Sequence, residues 1–129
     1  MFMIAPYLRI LPAKNMGQGV FSVEDIPAKK VIEISPVLVM SFEERVLLDK
    51  VKLHDYIFEW NSSQKQCCVA WGYISIYNHS YESNCEYEME YDKGCIRILT
   101  MRAIKSGEQL FINYNGTYNN KKPLWFDAI

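Results

Sequence analysis

Asn78-His79-Ser80-Tyr81-Glu82-Ser83-Asn84 follows the apolar run Tyr73-Ile74-Ser75-Ile76-Tyr77. The heptapeptide is a poor strand and a poor helix interior. Asn and Ser side chains compete with the backbone for hydrogen bonds and favour tight, self-bonded turns. A polar knot between apolar segments is either a solvent loop or a buried, pre-organised site, and the residues around it decide which.

The chain has 129 residues, enough for one domain with its own core. Half of the residues are hydrophobic, and nine Tyr, six Phe and three Trp make a heavy aromatic share. The net charge of −1 supplies no basic field for a phosphate backbone, so nucleic acid is not expected as a partner. No apolar run approaches the roughly 20 residues of a membrane helix. Met1-Phe2-Met3-Ile4-Ala5-Pro6 lacks the charged region and apolar core of a signal peptide, which leads to the expectation of a cytoplasmic protein. Cys67, Cys68, Cys85 and Cys95 contain no C-x-x-C pair, so buried free thiols are expected and no metal site.

Taken in order, Tyr7 to Leu11 reads as a strand ended by Pro12. In Lys14-Asn15-Met16-Gly17-Gln18-Gly19, two glycines one residue apart permit positive φ and a close backbone approach to a ligand; a plain hairpin turn is the alternative. Asp25 to Lys30 is a turn, and Val31–Ile34 and Val37–Met40 read as strands on either side of Pro36. Ser41 and Glu44 form a capping box opening a helix to about Lys50, with Phe42, Val46 and Leu47 on one face. His54 to Trp60 and Gln66 to Trp71 read as strands, and Glu86–Tyr91 with Cys95–Met101 is the clearest hairpin. Ala103 to Ile112 echoes Asp25 to Ile32, both running isoleucine, turn, charge, apolar strand. The expected class is mostly β, with several small sheets and one or two short helices.

Three of these motifs, in this order, resemble the SET-domain protein-lysine methyltransferases. The resemblance rests on Gly17-Gln18-Gly19 before Val20-Phe21, on Asn78-His79-Ser80 with Asn84, and on Gly107-Glu108-Gln109-Leu110 ending at Tyr114. It implies one SET domain over residues 1–129, with a core from about 5 to 116 and a short aromatic tail. It further implies a pseudoknot-like C-terminal crossing that brings Tyr114 beside Asn78 and His79. S-adenosylmethionine (SAM) is the implied methyl donor. The implied cofactor contacts are Met16, Gly17, Gln18, Gly19, Asn78 and His79, with Trp125 and Phe126 stacking on its adenine or covering it; plain core packing of these two is the alternative. Tyr114 is the implied catalytic residue, and Tyr56, Tyr77, Tyr87 and Ile112 the implied lysine channel. The implied partner is a lysine of a protein substrate, not necessarily a histone, with the enzyme a monomer or homodimer. The chain departs from the common pattern at Tyr81, Ser83, Ser75 and Asn113, and no Cys-rich zinc segment follows Tyr114. A non-catalytic peptide-binding module that kept the fold is the alternative.

Overall fold

The computed structural model describes residues 2–114. Leu8–Ala13 (β2) and Gly17–Ser22 (β3) form an antiparallel hairpin, preceded by the short strand Met3–Ile4 (β1). The turn between β2 and β3 needs left-handed backbone at both ends, and Asn15 (φ 62°) and Gly17 (φ 68°) provide it. The strand does not end at Pro12 as expected, because β2 lies at a sheet edge, where a missing N–H leaves no ladder bond unmade.

Val31–Met40 is one ten-residue strand, β4, rather than two. Pro36 marks where the strand changes partner. Up to Pro36, β4 pairs with Cys95–Thr100 (β9), and from Val37 it pairs with Gln66–Ala70 (β6). Proline lacks the donor that an uninterrupted ladder would use, and the handover places that gap where one ladder stops. Ser41 caps Phe42–Leu48 (α1) with both bonds of the capping box in place, as its sequence predicts, although the helix ends before Lys50.

The aromatic run His54–Trp60 departs from expectation. Lys52–Tyr56 is a 3₁₀ turn, and only Phe58–Trp60 (β5) is extended. Pairing explains the split: β6 faces Phe58, Glu59 and Trp60, and no strand lies opposite 52–56. Cys85–Glu90 (β8) and β9 form the expected hairpin, with β8 one residue earlier at both ends and β9 one residue shorter at its end, and with Gly94 left-handed in its turn. The two echoing segments touch each other. Ile26 and Ile104 exchange both backbone bonds, at 2.9 and 2.8 Å, so the two similar turns sit side by side.

Strands β5, β6, β4, β9 and β8 make the larger sheet, with β1 attached to β4. The smaller sheet places Gln109–Ile112 (β10) between β3 and Asn78–His79 (β7), antiparallel to the first and parallel to the second. Val20, Ile32, Ile74, Ile96, Ile98 and Leu110 are fully buried at the core. The four cysteines are buried free thiols, as expected, and burial pushes Cys68 and Cys85 up to about 12, which makes them poor nucleophiles. Among the described residues, no helix is long and apolar enough to cross a membrane.

Candidate active site

His79, Ser83 and Asn84 of the polar knot are buried, and Asn84 holds backbone. Asn84 clips β10: its Oδ1 accepts from Phe111 N and its Nδ2 donates to Gln109 O, each at 2.8 Å. An asparagine side chain has the same donor–acceptor pair as a peptide group, so it replaces a missing strand neighbour. Ser80 N donates to Ile112 O at 3.1 Å, extending the contact between the knot and β10. These bonds and the register of Ile112 opposite His79 bring Tyr114 into contact with His79.

Tyr114 is held at three atoms. Its N–H donates to His79 Nδ1 at 3.1 Å, and its hydroxyl donates to Tyr77 O at 2.8 Å. Its carbonyl accepts from the Tyr87 hydroxyl at 3.0 Å. Burial, with a smaller contribution from nearby Tyr56, pushes its phenol up to about 12, so Tyr114 is a neutral hydroxyl at physiological pH. The first of these bonds also defines the histidine. Because Nδ1 accepts, the ring proton sits on Nε2, and burial lowers the pKa and keeps the ring neutral. That Nε2–H is buried and has no hydrogen-bond partner among the described residues, which makes it a donor suited to a ligand. Tyr81 packs its ring edge-to-face on His79, with centroids 4.4 Å apart.

The aromatic walls are Phe58, Tyr87 and Tyr114. Phe58 meets Tyr87 and Tyr114 edge-to-face, with centroids 5.2 and 6.2 Å apart. Tyr56 is half-exposed close by. Tyr77 lies one layer deeper than a place in the lysine channel requires. Its ring is fully buried and its hydroxyl donates to Glu33 Oε1 at 2.9 Å, so only its backbone carbonyl meets Tyr114. Ile112 is likewise a fully buried core residue of β10. Glu33 is completely buried and accepts also from Ser35 Oγ at 2.7 Å and Tyr73 N at 2.8 Å. Desolvation raises its pKa, and the three donors oppose that rise.

At the other end, Asn78 Nδ2 donates to Gln18 O at 2.9 Å and to Gln109 Oε1 at 3.0 Å. Gly17 and Gln18 are exposed, Gly19 is buried, and Met16 is half-buried in the hairpin turn. Trp125 and Phe126 lie outside the described residues.

Sequence reasoning named Asn78, His79, Tyr87 and Tyr114; His79 and Tyr87 both bond Tyr114, whereas Asn78 bonds Gln18 and Gln109 at the other end. It missed Phe58, Gln109 and Glu33. Glu33 carried a readable signal, an acid inside the apolar run Val31–Met40. Phe58 sat in a run whose strand boundary was misread, and Gln109 was noted only as part of a motif.

Similarity to known proteins points to one family. Residues 17–115 match the family profile of the SET domain. The chain is 33% identical over 121 residues to a Schizosaccharomyces pombe histone-lysine N-methyltransferase specific for H3 lysine-37, covering 93% of this chain and 77% of that one. A Plasmodium falciparum crystal structure, of a protein proposed to be a histone methyltransferase, superposes with a TM-score of 0.67 at 26% identity, covering 86% of this chain and 95% of that one. A chain of an active polycomb repressive complex 2 in its basal state superposes with a TM-score of 0.72 at 22% identity, over 85% of this chain and 15% of that one, a likeness of fold.

Proposed function

The chain belongs to the SET-domain family of protein-lysine methyltransferases, and on that premise we propose that its methyl donor is SAM, held by the Gly17–Gly19 segment, Asn78 and His79, and that the substrate lysine reaches Tyr114 past Phe58 and Tyr87. The single observation that carries this reading is the three-point fixation of Tyr114.

The residues fit the cofactor chemically. The Nε2–H of His79, buried and without a partner among the described residues, is suited to a heteroaromatic ring nitrogen. The Asn78 amide stands at the mouth of the Gly17–Gly19 segment, suited to an amino-acid end. When bound, SAM supplies a methyl group on a sulfonium.

The protein's part is to present a neutral amine in line with that methyl. A lysine with pKa ~10.4 costs about 4.6 kcal/mol to neutralise at pH 7. Phe58, Tyr87 and Tyr114 reduce this cost, because a water-poor aromatic wall disfavours the charged form. Tyr114 donates its only hydroxyl proton to Tyr77 O, so toward the amine its oxygen can act only as an acceptor. A phenol pushed up to about 12 is no base here, so Tyr114 orients the amine and does not deprotonate it.

The test is Tyr114→Phe, which keeps the ring and removes the oriented oxygen. Transfer of labelled methyl to histone H3 or to a lysine-rich protein mixture should fall by about 10²–10³ in kcat. SAM affinity by calorimetry should stay within about twofold, because no proposed cofactor contact is removed. A variant that transfers at the wild-type rate removes Tyr114 from the mechanism, and a wild-type chain that takes up no SAM points to the non-catalytic module. The pH profile gives a second check. The rate should rise from about pH 7 to 10 as the substrate amine loses its proton. A phenol near 12 stays protonated across that range, so Tyr114 adds no falling limb there.

A further inference from the structure

We infer that Gln109 is a positioning residue for the cofactor, fixing which way the Asn78 amide faces, and that residue 19 is glycine to leave room for Gln109. The inference rests on the reading that SAM is held by the Gly17–Gly19 segment, Asn78 and His79.

The atom assignment follows from chemistry. Gln18 O is a carbonyl and can only accept, so the Asn78 atom 2.9 Å from it must be the amide nitrogen. That nitrogen donates its other proton 3.0 Å away, so the Gln109 atom it meets must be oxygen. Both Asn78 amide protons are therefore used within the protein. Asn78 Oδ1 accepts no hydrogen bond from the described residues. An amide locked this way offers an acceptor, matched to an ammonium group and mismatched to a carboxylate. Without the Gln109 oxygen, one of the two bonds that hold this orientation is gone. The last side-chain torsion of Asn is soft and roughly two-fold, so the amide could then turn its NH₂ outward.

Gln109 is itself well held. It lies opposite Phe21 in the β3–β10 pair, and its carbonyl accepts from Asn84. Its carboxamide fills the space above Gly19. A Cβ at position 19 would stand 2.5 Å from Gln109 Oε1 and 3.1 Å from both Gln109 Cδ and Asn78 Nδ2. Any side chain there displaces Gln109 from Asn78. Gly17 differs: a Cβ there meets nothing within 4 Å, and its requirement is the left-handed turn. Two glycines of one motif thus answer to different forces.

The experiment uses the full chain with Gln109→Met, Gln109→Glu, and Gly19→Ala made alone and together with Gln109→Ala. In the SAM-free protein, the Asn78 side-chain NH₂ resonances should show two protected protons, and Gln109→Met should expose one to faster solvent exchange. Titrated with SAM, Gln109→Met should bind about tenfold more weakly, raising KM for SAM while kcat at saturating SAM is kept. Gln109→Glu keeps an acceptor oxygen and should bind as well as wild type. Gly19→Ala should weaken SAM binding in the wild-type background and add nothing further when Gln109 is already Ala. Wild-type resonances and affinity in Gln109→Met overturn the positioning role. A loss from Gly19→Ala that persists in the Gln109→Ala background returns Gly19 to direct cofactor contact and overturns the account of residue 19. If the wild-type chain binds no SAM, the cofactor reading falls and the positioning role falls with it, and the amide resonances still report whether the clamp exists.

Discussion

Two short segments invert the usual relation between polarity and burial. In the polar stretch Asn78–Asn84, His79, Ser83 and Asn84 are only 8%, 7% and 2% exposed. In the apolar helix α1, Phe42, Val46 and Leu47 are 46%, 41% and 64% exposed, and no residue of the helix is buried. Hydrogen bonding accounts for the first. A buried polar group is costly only when unpaired, and Asn84 spends its acceptor and a donor on the backbone of β10. Size accounts for the second. A two-turn helix cannot cover both itself and a sheet, and its ends are secured by a local cap rather than by packing. A segment's burial therefore follows from what the rest of the chain brings to it.

Breaking the buried member should have the larger consequence. Asn84→Ala takes from the part-buried Phe111 N and Gln109 O their side-chain partner, so it should cost about 2–4 kcal/mol in urea unfolding. A loss under about 1 kcal/mol would mean that the clip adds little to the tether between β10 and β7. The local cap comes next. Ser41→Ala removes the hydroxyl that accepts from Glu44 N and should cost about 1 kcal/mol, because capping depends on neighbours three residues away. The exposed face should respond least. Leu47→Gln should change stability by no more than about 0.5 kcal/mol. A cost above about 2 kcal/mol would show that something covers that face in solution and would dissolve the contrast.

Elements whose causes are local were legible. The Ser41–Glu44 box, the Cys85–Thr100 hairpin and the left-handed turn before Gly17 each depend on residues a few positions apart. Elements that depend on a partner strand were misread. Pro36 looked like a break and is a handover between two ladders, because β9 and β6 take turns beside β4. His54–Trp60 looked like one strand, but β6 lies opposite only its last three residues. In the site, Tyr87 and Tyr114 could be named from sequence, whereas Phe58 gains its place only when β5 folds against that pair. Tyr77 was named for its ring and serves Tyr114 through its carbonyl, because Glu33, 44 residues away, accepts its hydroxyl.

Sequence by itself determined the β-rich class, the order of the three motifs and the family they resemble, since these need only residue types and spacings. Tertiary structure alone decided which atoms face one another. The parallel pairing of β7 with β10 joins His79 to Tyr114 across 35 positions and so sets the histidine tautomer. It also joins Asn78 to Gln109 across 31 positions and so sets the direction of the amide. Local propensity reaches a few residues along the chain, whereas a hydrogen bond between distant segments exists only once the whole fold has put its donor and acceptor within about 3 Å.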